Sequence, residues 1–204
     1  VEQTNFLISD AERGPELVRA AAMTPGFLSL IGARVELGRS LQASDFLPTA
    51  PRVGLLSYSS WMQRHGGDAD IIGKAESNLT IVGVLSADVV VPEAVFARSP
   101  EYWIPLIFSD KRYAERGRRS ANVIGVLAEG VTLEAARSEL AAVQFALGDE
   151  FPNGNVLPDG KRFGAGANAL HAETVGASAT PLALFLGAAT LLLLIAGMNS
   201  ANLL

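Results

Sequence analysis

No residue after Glu173 carries a formal charge, and this feature constrains the chain more than any other. From Pro181 to Met198 the sequence reads PLALFLGAATLLLLIAGM, interrupted only by Thr190. A helix rises about 1.5 Å per residue, so about 20 residues cross a hydrocarbon core of roughly 30 Å. The stretch from Leu182 to Leu204 has the length to do so with some tilt. The expectation is therefore a membrane stem and transmembrane helix over 174–204, behind one water-facing domain over 1–173. A signal peptide would lie at the start of a chain, with a basic n-region and a cleavage site. This run lies at the end. The chain opens at Val1 and stops inside the apolar run, so both ends read as the boundaries of a fragment.

Composition removes several functions. There is no cysteine, which excludes disulfides, thiolate chemistry and cysteine-ligated metals. The net charge of −5 falls wholly within 1–173 and argues against a nucleic-acid surface.

Along the first 173 residues, strand and helix signals alternate without an internal repeat, which predicts a mixed α+β, two-lobed domain. Val1–Ile8 and Leu17–Met23 read as strands around the turn signal Gly14-Pro15. Thr24-Pro25 suits a helix N-cap with proline at the first helical position, and Gly32 ends that short helix. Val53–Leu56 is a short apolar strand, and Ser57 is placed to cap a helix that Gly66-Gly67 stops. Tyr58, Trp61 and Met62 share one face of it. Leu79–Leu85 is rich in β-formers. Prolines at 92, 100 and 105 forbid a long element between Ser86 and Asn122, and Trp103-Ile104 reads as an anchor onto the core. Val123–Leu127 is predicted as a further strand. Gly130 turns the chain and Thr132 caps a helix whose Leu133, Ala136, Leu140, Val143 and Leu147 form one apolar stripe. Pro152 closes it, and residues Asn153–Gly166 read as a loop or hairpin.

No catalytic, metal or cofactor site is expected. His65 and His171 are the only histidines and lie far apart in sequence. Ser57 and Ser59 lack the Gly-x-Ser-x-Gly elbow of a nucleophile. Asp68 and Asp70 lack the remaining ligands of a calcium loop. Lys111, Arg112, Arg116, Arg118 and Arg119 form a basic cluster diluted by Asp110 and Glu115, and read as a solvated surface. No Walker-type loop is present, so ATP is not hydrolysed on this chain.

The order of short motifs resembles the periplasmic core domain and following transmembrane helix of MacB-like and FtsX-like ABC transporter permeases. It is carried by Thr24-Pro25-Gly26-Phe27, Leu30-Ile31-Gly32, Leu37-Gly38-Arg39, VGLLSYSSW from Val53, and Gly66-Gly67-Asp68. Ile72-Gly73-Lys74, TIVGVL from Thr80, Trp103-Ile104-Pro105-Leu106, GVTLEAA from Gly130 and LLLLIAGMNSANLL from Leu191 continue it. Two places depart from the pattern: only KAESNL separates Gly73 from Thr80, and Ala128-Glu129 stands before Gly130. Each motif also has a local reading. Gly38-Arg39 suits a tight turn beside a guanidinium that bonds loop carbonyls or a carboxylate such as Asp45, and Gly83 suits a close approach.

The resemblance implies the extracytoplasmic and transmembrane portion of an exporter permease in the bacterial cytoplasmic (inner) membrane, coupled to ATP hydrolysis on a separate nucleotide-binding domain or subunit. Alternatives are an FtsX-like regulator of a cell-wall hydrolase and a single-anchor extracytoplasmic binding module. Implied partners are a cytoplasmic ABC ATPase, a second copy or paired permease, and a periplasmic adaptor. Within the apolar run, Ala183 and Gly187, and Gly197 and Ala201, form small-xxx-small pairs for helix–helix contact, with Asn199 and Asn202 on nearly one side.

Overall fold

The computed structural model describes residues 1–10, 14–90, 95–96, 98–108, 119–157, 159–172, 184–193, 195 and 198. Two compact units divide the chain, Val1–Gly166 and Ala167–Leu204. The first is built on a seven-stranded sheet. Its strands are β1 (Glu2–Asp10), β2 (Gly14–Met23), β3 (Val35–Gly38), β4 (Val53–Leu56), β5 (Ala75–Glu76), β6 (Leu79–Leu85) and β7 (Tyr102–Pro105). The order across the sheet is β1-β2-β7-β4-β6-β3, with β5 paired to β6. β2 runs parallel to β7 and β4 parallel to β6, while β1–β2, β4–β7 and β3–β6 are antiparallel.

The central strand β4 shows why its sequence is apolar at every position. Side chains alternate along a strand, so neighbours face opposite ways. Leu55 and Trp103 join Ala21, Met23, Phe27, Phe96 and Leu85 in one core cluster. Leu56 and Tyr102 join Val18, Ala20, Ile81 and Val84 in the other. A strand covered on both faces has no polar side, and β4 accordingly reads VGLL with all four residues buried. The edge strand β3 is held close: Gly38 pairs with Gly83, and a Cβ on Gly83 would stand 2.4 Å from the Arg39 carbonyl oxygen. Glycine alone fits there.

Among the described helices of this unit are α1 (Phe27–Leu30), α2 (Tyr58–His65) and α3 (Leu133–Glu150), followed by the short turn Pro152–Asn155. The Ser57 hydroxyl accepts from the Ser60 amide at 3.2 Å and Gly66 closes α2 at φ 59°, both as expected. The Thr132 hydroxyl accepts from the Ala135 amide at 3.2 Å, so the predicted cap of α3 is present. The Trp61 indole donates to the Asp68 carbonyl at 2.8 Å.

Several expectations are corrected. Gly26, at φ 82°, is the N-cap of α1, not Thr24; the Thr24 carbonyl instead accepts from the Phe27 amide at 3.3 Å. Residues 122–128 form no strand. The stripe of α3 is not buried, with Leu140 and Val143 exposed. The mixed α+β class stands, but the expected two lobes are replaced by elements around a single sheet within one compact unit.

The transmembrane helix is the largest correction. Among the described residues, no helix is long and apolar enough to cross a membrane. In the second unit, residues 184–193 lie in a helix. Thr190 donates to the Leu186 carbonyl at 2.8 Å within it. The expected membrane-spanning export portion, and the anchoring of the chain in the inner membrane that rested on it, are therefore withdrawn.

Candidate docking surface

The charged side chains of the first unit mostly bond one another. Arg64, in the last turn of α2, reaches across the sheet and is nearly buried. Its guanidinium donates to Glu16 at 2.8 and 2.9 Å and to Glu101 at 2.8 and 3.2 Å. Those bonds, Glu16 foremost, hold its pKa far above the ordinary value against the opposing effect of burial. Arg19 meets the other Glu101 oxygen at 2.8 Å. Arg39 grips Asp45 with two bonds of 2.7 and 3.1 Å, which lower the Asp45 pKa; the Gln42 amide adds a third at 2.7 Å. The Tyr102 hydroxyl donates to Glu76 at 2.7 Å. Burial first, and then that carboxylate, push its pKa well up. The His65 Nε2 lies 3.0 Å from the other Glu76 oxygen, without the alignment of a hydrogen bond. These are clamps between elements: these acids and bases are spent on each other, and among the described residues they set no nucleophile against a base.

The remaining sequence candidates are dispersed. Asp68 accepts from the Asp70 amide at 2.9 Å and pairs with Lys74 at 3.2 Å, so both aspartates shape a turn. Among the described residues, no three His, Asp or Glu side chains gather as metal ligands. Arg119 stacks 3.7 Å above the Phe163 ring; Lys111, Arg112, Arg116 and Arg118 lie outside the described residues. Of the helix-contact residues, Gly187 is described, with open space where a side chain would stand. Ala183, Gly197, Asn199, Ala201 and Asn202 lie outside the described residues.

One face of the β1–β2 hairpin is different in kind. Gln3, Asn5 and Leu7 alternate along β1 and stand opposite Ala21, Arg19 and Leu17 of β2. At the inner end this face is covered, because the Gln3 amide donates to the Val95 carbonyl at 3.1 Å and Ala21 is in the core. Toward the tip it opens. Leu7 is 57% exposed and its cross-strand partner Leu17 64% exposed. Beside Leu17 lies a groove of about 540 Å³ whose lining includes Asn5, Arg19, Arg98 and Pro100. Two leucines set against each other in solvent, next to a cationic groove, have the chemistry of a docking face and of no reaction.

Residues 2–143 match the family described as MacB-like periplasmic core domain. The chain belongs to this family. A periplasmic core domain of this kind is a structural and transport module, and its family is not catalytic. Among solved structures, the chain is similar to the extracellular domain of the noncanonic ABC-type transporter YknZ from Gram-positive bacteria. The identity is 15%, with 74% of this chain and 75% of that one covered and a TM-score of 0.49. It is also similar to the periplasmic region of MacB from Actinobacillus actinomycetemcomitans, at 13% identity over 72% of this chain and 64% of that one, with a TM-score of 0.49. No curated protein matches the chain.

In this periplasmic core domain the hairpin face escaped the sequence reading for a definable reason. Leu17 was assigned to a strand, and a lone leucine in a strand is read as core by default. The signal that could have found it is the pairing of Leu7 with Leu17 in the β1–β2 register. That register places both on the face carrying Gln3, Asn5 and Arg19, three polar residues.

Proposed function

We propose that the chain is an extracytoplasmic binding module of the ABC-permease type, whose task is to dock a partner chain. Family membership supports the extracytoplasmic setting, and the observation that carries the docking role is the exposed Leu7–Leu17 pair beside the cationic groove. The chain works in an assembly with a cytoplasmic ABC ATPase subunit, and the partner that meets the hairpin face is an extracytoplasmic chain of that assembly: a second copy, a paired permease or a periplasmic adaptor. The docking domain occupies 1–173, and 174–204 is a separate segment, a division supported by the loss of all charge after Glu173. In that segment Ala183, Gly187, Gly197, Asn199, Ala201 and Asn202 are contacts to another helix; the open space beside Gly187 supports this part.

The test is co-purification of the tagged chain with the ATPase subunit and permease chains of its own assembly. Leu7→Lys with Leu17→Lys should reduce recovery about tenfold or more, since losing a central apolar anchor commonly removes over 1.4 kcal/mol of binding. Both side chains are in solvent, so the fold should stand, with the Trp103 emission unchanged. Recovery equal to that of the parent chain would remove the hairpin face from the reading.

A further inference from the structure

The groove beside Leu17 carries a guanidinium that the clamps described above leave unused. Arg19 and Arg98 both line it. Arg19 is committed: it meets Glu101 at 2.8 Å, and its Nε donates to the Ser99 carbonyl at 3.3 Å. Arg64 takes the other Glu101 oxygen at 2.8 Å and both oxygens of Glu16. Those two carboxylates are therefore shared out between Arg19 and Arg64. Arg98 is exposed, and among the described residues no carboxylate meets it. Its backbone is nonetheless held in place. Ser99 is tied to β2 by the Arg19 Nε, and the Glu101 amide donates to the Arg19 carbonyl at 2.9 Å. Between them the buried Pro100 keeps Ser99 extended.

We infer that Arg98 is the recognition point of the hairpin face, and that its occupant is an acidic segment of a different chain. In that segment a carboxylate stands two positions from an apolar side chain. The inference rests on the docking role proposed above for Leu7 and Leu17, and names the chemistry of the partner. Leu17 and Arg19 are two residues apart on one face of β2, so at about 3.3 Å per residue the cationic groove begins about 7 Å from the leucine pair. Alternate side chains of an extended partner segment have the same spacing. One apolar residue then covers Leu7 and Leu17 while the carboxylate reaches Arg98, whose guanidinium takes it with two parallel bonds. The Asn5 amide, opposite Arg19, adds a donor to the lining. A second copy docking through the same face supplies no acid. An isologous contact sets a face against itself, and Gln3, Asn5, Leu7, Leu17 and Arg19 include no carboxylate. The net charge of −5 opposes an acidic partner only at long range, where salt screens charges more than about 8–10 Å apart. At bonding distance the local guanidinium decides.

The test uses the tagged full chain, co-purified with the permease and adaptor chains of its own assembly. Arg98→Glu should lower recovery about tenfold or more, because it sets like charges together. Arg98→Lys keeps the charge and supplies an amine, which a water-soluble carbodiimide joins to a touching carboxylate as an amide. Because this reagent leaves no spacer, only groups at ion-pair distance couple. The adduct with a partner chain should be about tenfold above the background from the parent chain's own lysines. Trp103 emission equal to the parent's reports that each variant is folded. Full recovery of Arg98→Glu, with recovery lost in Leu7→Lys with Leu17→Lys, overturns this inference and leaves the hairpin reading standing. Full recovery of both variants overturns the two together. An adduct no more abundant than the parent's overturns the inference, as does an adduct consisting of two copies of this chain.

Discussion

Tyr102 and Trp103 are neighbours on β7 and stabilise the fold by different means. Trp103 is 1% exposed and packs edge-on against Phe96 at 5.6 Å between ring centroids. Its role is dispersion and burial, and an aromatic between two prolines in an otherwise irregular stretch announced it. Tyr102 is equally buried but carries a hydroxyl that must be satisfied, and Glu76 satisfies it from β5. No local pattern links these two residues, since they come together only when β7 and β5 join the same sheet. The consequence appears at high pH. The folded phenol keeps its proton well beyond its ordinary value of 10.0, whereas the unfolded chain ionises near that value. Above about pH 10 the unfolded state therefore binds fewer protons, and stability falls as pH rises. Below that pH the group contributes no slope. Urea midpoints measured between pH 9 and 11.5 should decline for the parent chain and decline less for Tyr102→Phe. Parallel slopes for the two chains would mean that the hydroxyl is not held neutral.

The elements show where local rules suffice and where they do not. Ser57 and Thr132 were both read as caps from a hydroxyl before an apolar-periodic run, and both hydroxyls accept the expected amide. Capping needs only four consecutive residues, so sequence contains the whole of it. Thr132→Ala should destabilise α3 by about 0.5–2 kcal/mol, toward the lower end because the site is exposed to water. Thermal unfolding followed at 222 nm reads the change, and a midpoint equal to that of the parent would count against the cap. Thr24 failed as a cap for an equally local reason: Gly26 takes φ 82°, and the helix begins two residues later. The stripe of α3 and the run Val123–Leu127 failed differently. Each has the right periodicity, yet periodicity states only which residues would share a face. It does not say that another element is there to cover that face, and Val126 and Val143 remain in water.

At the scale of the molecule, the two core clusters draw their buried residues from Val1 to Trp103, all within the compact unit Val1–Gly166. A fragment of residues 1–166 should therefore unfold cooperatively and keep the blue-shifted emission of a buried Trp103. Emission at the wavelength of free indole would show that the remaining segment is required for the core. By itself the sequence determined the apolar strands β4 and β6 to the residue, the caps at Ser57 and Thr132 and the family motifs, and it offered Asp45 as one partner for Arg39; Gly14-Pro15, read as a turn, lies inside β2. All of these lie within short stretches of chain, where dihedral preferences and neighbouring side chains decide the outcome. The strand order β1-β2-β7-β4-β6-β3 was decided only by the tertiary structure, because pairing β2 with β7 joins residues some eighty positions apart and no local preference encodes that choice. The same holds for Arg64, which chose Glu16 and Glu101 from distant strands, and for the solvent-facing Leu7–Leu17 pair. The charge-free tail marks the limit of the other approach. Composition supplied the hydrophobicity of a membrane span, yet among the described residues no helix is long and apolar enough to cross a membrane; hydrophobicity is read from composition, helical length from the backbone.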